Sequence, residues 1–218
     1  MCPKEKIMQF AFLEDLDAYF CEKYANYDKL CILEGYVMPV MQATRLDEFG
    51  RTYAYTLPAD TLRLSLQENK QDLLKKLKEK MTDKSFSFSF RPLSFWEKLG
   101  NLFAKITFQK EFKALLERYN LTVEQAKEGL AVDDEIWKMF LNGGAHPTKN
   151  FIFSFALVHH ISLTDVKRLL AVCEREFDFT QEKDVVVSYL LSNSVFNADM
   201  VASALQEYHI GNMFIKVE

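Results

Sequence analysis

Apolar residues recur along this chain at two spacings, and the change from one to the other organises it. Over residues 10–33, Phe12, Leu16, Tyr19, Phe20 and Tyr24 fall at helical spacing, which predicts an amphipathic helix ending in a tyrosine cluster. The stretch VMPVMQATRLDEFGRTYAYTLPAD then alternates. Tyr53 and Tyr55 interleave with Thr52, Ala54 and Thr56, so runs at 40–45 and 51–56 predict a β-hairpin around LDEFG, with Gly50 supplying a positive φ. TLRLSL at 61–66 fits two descriptions. Leu62, Leu64 and Leu66 alternate as in a strand, while Asp60 is placed to cap a helix; Leu73, Leu77 and Met81 predict helix over at least 68–81. In SFSFSFRP, residues 85–92, Phe86, Phe88 and Phe90 share one side of a half-buried strand that stops before Pro92 and would pair with the hairpin. Phe95, Leu99, Leu102, Phe103 and Ile106 then form one helical stripe.

From Thr107 onward every segment reads as helix. Phe112, Leu115, Leu116 and Tyr119 lie on one face. Thr122 and Gln125 are spaced as a capping box, so a second helix begins there. Ile136, Met139 and Phe140 define a third. TKNFIFSFALVHH is apolar on nearly every side, the signature of a central buried helix. Ser162 and Asp165 open another helix, with Val166, Leu169, Leu170 and Cys173 on one face. Val185, Val186, Tyr189 and Leu190 mark the next, and Asn197 caps a last one carrying Met200, Val201, Ala204, Leu205 and Tyr208.

Composition fits this outline. Hydrophobic residues make up 49% of 218 positions, enough to build a core, and Gly (seven) and Pro (five) are sparse, which favours helix over an all-β sandwich. The nineteen Phe read as core rather than as an aromatic cage. The expected fold is mainly α. A small α+β N-terminal portion (1–84) holds the helix and hairpin, 85–106 holds the Phe-rich strand and a connecting helix, and 107–218 forms a helical bundle.

Charge and cysteines narrow the chemistry. The net charge of −4 does not favour a nucleic-acid partner, although a local patch would decide. Cys2, Cys21, Cys31 and Cys173 have no zinc-site spacing and form no dense framework, so they read as idle thiols in a reducing cytosol. Lys4 and Lys6 precede an apolar run as in a signal peptide, but Glu14, Asp15 and Asp17 interrupt it. No apolar stretch reaches membrane-spanning length. A soluble cytoplasmic protein with no membrane partner is expected.

One stretch carries a resemblance. LTVEQAKEGLAVDDEIWKMFLNGGAHPTKN, residues 121–150, keeps a small residue at Ala126, where the next helix crosses, and an apolar anchor at Ile136, followed by Met139 and Phe140. NGG and HPTKN follow as a loop ending in a cap at Thr148, and FALVHHISLTDVKRLL supplies a helix, a short turn and a further helix. With Phe108 onward, this resembles the five-helix domain of the lambda-repressor-like (Xre-type) helix-turn-helix family. The tail, FDFTQEKDVVVSYLLSNSVFNADMVASALQEYHIGNM, looks like the helical pair that follows such domains in some uncharacterised bacterial proteins. The resemblance covers residues 108–213. It departs from the family pattern at Leu130, where a turn glycine is usual and Gly129 lies one residue early, and at Asn142, one residue late.

The resemblance implies DNA reading by the helix opening at Asp133. DNA-contact candidates are Lys127, Lys138, Lys149 and Asn150. Yet that helix begins Asp133, Asp134, Glu135, and carboxylates facing phosphates oppose binding and forfeit counterion release. Residues 107–175 hold nine basic and nine acidic residues, so no local excess of positive charge offsets them. Protein-contact candidates are therefore Asp133, Asp134, Glu135 and an exposed Trp137. A second basic stretch, from Lys70 to Lys110, is interleaved with Phe86, Phe88, Phe90, Phe95 and Trp96. Single-strand binders combine such features, but an ordinary lysine-rich helix surface over a Phe core explains them as well. Adjacent His159 and His160 point about 100° apart on a helix and are not a metal pair. No phosphate loop, dinucleotide fingerprint, HExxH or GxSxG motif occurs, so no catalytic residues, metal or cofactor are assigned. The expectation is a non-catalytic regulatory or protein-interaction protein on a degenerate helix-turn-helix bundle. The alternative is a DNA-binding transcriptional regulator, as a homodimer reading DNA from the basic middle segment.

Overall fold

The computed structural model describes residues 3–24, 42–46, 50–56, 70–81, 91–103, 106–211, 213 and 215. Within them the protein is mainly α, with ten helices. These are α1 (Pro3–Lys23), α2 (Lys70–Lys80), α3 (Phe95–Phe103), α4 (Phe108–Arg118), α5 (Val123–Lys127), α6 (Asp134–Leu141), α7 (Lys149–Val158), α8 (Leu163–Val172), α9 (Glu182–Ser192) and α10 (Ala198–Glu207). Strands β1 (Gln42–Leu46) and β2 (Thr52–Thr56) pair antiparallel, Thr44 opposite Ala54, with Gly50 at φ +74° between them. The hairpin is where alternation places it. Two-residue strands β3 (Arg91–Pro92) and β4 (Ala145–His146) pair antiparallel as well. The Phe-rich strand at 85–90 and TLRLSL at 61–66 lie outside the described residues.

Helix boundaries follow local chemistry. Thr107, Thr122, Thr148, Ser162 and Asn197 each accept a backbone N–H at the start of a helix, and Thr122 with Gln125 closes the full capping box. Five ends share a different device. Asn120, His160, Glu174, Ser194 and His209 hold φ between 51° and 55°. The residue after each donates back to a carbonyl in the last turn, as Ile161 does to Ala156 at 2.9 Å and Ile210 to Leu205 at 2.8 Å. These are Schellman turns that use residues other than glycine. No glycine marks them, so their geometry is hard to read in sequence.

The core is continuous from α1 to Met213. Helix α7 is buried without a break from Phe151 to Leu157, as its all-round apolarity predicts. Helix α9 is equally central, buried from Lys183 to Leu191, with Val187 and Leu191 adding a second apolar side to the face of Val185, Val186, Tyr189 and Leu190. Part of its covering comes from far away: Phe12 and Tyr19 of α1 pack on Tyr189, and the Tyr19 hydroxyl meets Ser188 Oγ at 3.0 Å. Leu16, Phe20 and Leu74 of the N-terminal portion thus lie in the same core as the helical bundle. Helix α1 also starts at Pro3, earlier than the apolar periodicity alone indicates.

Candidate functional site

Helices α4 to α8 build the site. Ala126 of α5 is fully buried, and its carbonyl accepts the ring N–H of His159 Nε2 at 3.0 Å. This fastens α5 to the end of α7. Desolvation lowers the His159 pKa, the Ala126 carbonyl opposing in part, so the imidazole prefers to be neutral. Gly129 makes the turn at φ +70°, and a Cβ there would lie 2.8 Å from Val158 Cγ1. A left-handed conformation and a close approach both select glycine at this position. Leu130 next to it is buried and forms an antiparallel bridge with Ile215. Gly129 is thus the left-handed residue of the turn between α5 and α6.

Helix α6 presents its first turn to solvent. Asp133, Asp134 and Glu135 are all exposed. Asp133 occupies the N-cap without a side-chain cap bond, so its carboxylate is not turned back onto the helix. Lys127 Nζ donates to Asp134 at 2.7 Å and lowers the Asp134 pKa. At the other end, Gly143 at φ +67° and Gly144 close a Schellman turn, the Gly144 N–H reaching the Met139 carbonyl at 2.7 Å.

Trp137 requires a correction. It was expected as an exposed protein-contact residue, but it is only 1% exposed. Its ring packs edge-on to Phe151 at 5.2 Å and tilted to Phe112 at 6.2 Å. The helical period explains this. Trp137 follows Phe140 and Ile136 onto the inner face, and an indole buries more apolar area than either. The exposed tryptophan is Trp96, on α3.

Two of the DNA-contact candidates are paired with carboxylates. Lys127 is bonded to Asp134. Lys149 Nζ donates to Asp184 at 2.6 Å, an interaction between the starts of α7 and α9. Asn150 accepts from Lys183 Nζ at 3.3 Å beside it. Asp184 also accepts the Asp178 N–H at 2.7 Å, and burial raises its pKa. Lys138 stands exposed on α6.

Two polar clusters escaped the sequence reading. Asp165, nearly buried, accepts from Arg118, from Tyr119 OH at 2.8 Å and from Ser162 Oγ at 2.8 Å, which locks the end of α4 to the start of α8. Asp17 accepts Lys78 Nζ at 2.8 Å and Tyr208 OH at 2.7 Å, and Lys78 also reaches Glu207 at 2.8 Å. A cavity of about 430 Å³ opens beside this second cluster, lined in part by Glu14, Cys21, Leu74 and Lys75. These partners lie 61, 129 and 191 positions apart, so no local pattern could reveal them. Cys173 is buried, and its thiol pKa is pushed up to about 12 by desolvation, which makes it a poor nucleophile.

Among the described residues no group of three or more His, Cys, Asp or Glu is arranged to hold a metal ion, and no helix is long and apolar enough to cross a membrane. No protein-family model, curated protein or solved structure matches the chain.

Proposed function

We propose that this chain is a non-catalytic regulatory or protein-interaction protein, built on a degenerate helix-turn-helix bundle of the lambda-repressor-like kind with α9 and α10 added. The packing of Ala126 and Gly129 against the end of α7 supports the bundle assignment. One observation carries the function. Lys127 and Lys149, two of the DNA-contact candidates, are bonded to Asp134 and Asp184, while Asp133, Asp134 and Glu135 keep the leading edge of α6 acidic. A cation already satisfied by a carboxylate releases fewer counterions on meeting DNA. The edge suits a basic protein surface, with Met139 exposed on the same helix.

The test is fluorescence anisotropy of a labelled random duplex at low ionic strength, repeated as salt rises. The expected result is no salt-sensitive binding. Tight binding that falls steeply with salt would replace this reading with the DNA-binding regulator. A photo-crosslinking residue at position 135 probes the partner directly. Its crosslinks should disappear in the charge-reversed D133K/D134K background.

A further inference from the structure

Among the described residues, most of the exposed large apolar side chains lie on or just beyond helix α3. Phe95 is 71% exposed, Trp96 76%, Leu99 39%, and Ile106 just beyond the helix 67%. At 100° per residue, Phe95, Trp96 and Leu99 span an arc of about 100°, with Glu97, Lys98 and Gly100 outside it. The helix is firmly begun. Ser94 and Glu97 form a reciprocal cap, the Ser94 N–H reaching Glu97 at 2.8 Å and the Glu97 N–H reaching Ser94 Oγ at 3.3 Å. Both flanks are tied to the bundle. Leu93 is buried and donates its N–H to the Gly144 carbonyl at 3.0 Å, β3 pairs with β4, and Thr107 and Phe108 are buried. The apolar face is thus held outward.

We propose that α3 docks the protein on an anionic bilayer surface, with Phe95, Trp96, Leu99 and Ile106 entering the headgroup–acyl boundary. Charge supports this occupant. Residues 91–110 carry Arg91, Lys98, Lys105 and Lys110 against the single acid Glu97, in a chain whose net charge is −4. Lys98 and Lys110 are exposed. A basic excess in the sequence flanking an aromatic-rich apolar stripe is the chemistry of an interfacial helix. Size argues against a second copy of the chain. Nine residues of helix are about 14 Å long and about 10 Å wide, a footprint far below the roughly 800 Å² per partner of a stable dimer. A bilayer needs no complementary shape. At nine residues the helix lies on the membrane and does not span it, since spanning takes about 20. This inference is independent of the acidic edge of α6.

The two tryptophans supply the readout. Trp96 is exposed and Trp137 is buried, so a change in emission on binding reports α3. Full-length protein is titrated at low ionic strength with phosphatidylcholine vesicles, with and without about one-third phosphatidylserine, and with brominated lipids. The expected result is a blue shift and quenching with the anionic vesicles only. F95S/L99S, which keeps Trp96, should weaken partitioning about tenfold or more. K98E/K110E should weaken it at least about twentyfold. Unchanged circular dichroism in both variants separates lost docking from lost folding. No shift with anionic vesicles overturns the proposal, and so does an equal shift with neutral ones. A shift that follows protein concentration without lipid overturns it in favour of a second copy. A shift on adding single-stranded oligonucleotide but not vesicles overturns it in favour of nucleic acid.

Discussion

The hydroxyl of Tyr208 donates to Asp17 Oδ1 at 2.7 Å, joining the end of α10 to α1 across 191 positions. Lys78 Nζ sits 4.6 Å from the centroid of the same ring and binds the same carboxylate, so three helices meet at one tyrosine. Tyr208→Phe keeps the ring and removes the donor. A hydrogen bond to a charged acceptor contributes about 1.5–3 kcal/mol, so the denaturation midpoint should fall with the m-value unchanged. Burial first, and the Asp17 carboxylate second, raise the Tyr208 pKa above its ordinary 10.0. The folded state therefore resists losing that proton. Its stabilisation is full below the ordinary tyrosine pKa and is lost as pH rises above it. Stability measured at about pH 8 and about pH 10.5 should decline less in Tyr208→Phe than in the parent; equal declines would remove Tyr208 from the alkaline limb.

His159 acts at the opposite end of the pH scale. Burial lowers its pKa from the ordinary 6.5, so the unfolded chain takes the proton more readily. The contribution is full above about pH 6.5 and is lost as pH falls through the lower folded value. Glutamine at 159 can donate to the Ala126 carbonyl without titrating. Chemical denaturation between about pH 7.5 and about pH 5.5 should show a shallower loss in His159→Gln. A parent-like slope would assign the acid sensitivity to other groups.

Gly129 carries two separable constraints. Gly129→Ala places a Cβ in the left-handed region and against Val158 Cγ1 at 2.8 Å. Backbone strain of about 1–2 kcal/mol is expected from the conformation alone, with the clash added. In the V158A background the clash disappears and only the backbone part should remain. A double-mutant cycle measures the difference as coupling. Zero coupling would mean that Val158 moves aside freely.

The two tryptophans should respond oppositely to truncation. Trp137→Ala opens a cavity among Phe112, Phe140 and Phe151 and should lose about 3–5 kcal/mol. Trp96→Ala, at a position 76% exposed, should change stability by less than about 0.5 kcal/mol. A destabilising Trp96→Ala would show that the α3 face is covered in solution by the chain itself.

Local sequence was sufficient for most of the helices in the C-terminal half. The caps at Thr122, Thr148, Ser162 and Asn197 use neighbours within three residues, and the all-round apolarity of α7 states its central place. The hairpin around Gly50 is legible for the same reason. The candidate site was only half legible. Acidic residues at 133–135 are visible in the sequence, and their exposure follows from the apolar face beneath them. That Trp137 belongs to that inner face while Trp96 does not is a matter of which helices find partners. Helix α6 packs on the aromatic core, whereas α3 is held at its flanks with its stripe outward.

Sequence by itself determined most of the elements, the capped starts of the helices and the charge at the start of α6, because caps and periodicity act over a few residues. Tertiary structure alone decided which charges are spent and which faces are open. Lys127 and Lys149 look alike as candidates until Asp134 and Asp184 claim them. Nothing in the α9 sequence says that α1 is what covers Tyr189 and Ser188. The pairing of Tyr208 with Asp17 exists only once the two ends of the chain meet. The contacts of Lys149, Tyr19 and Tyr208 depend on chain closure over long separations, and residue spacing carries no record of it.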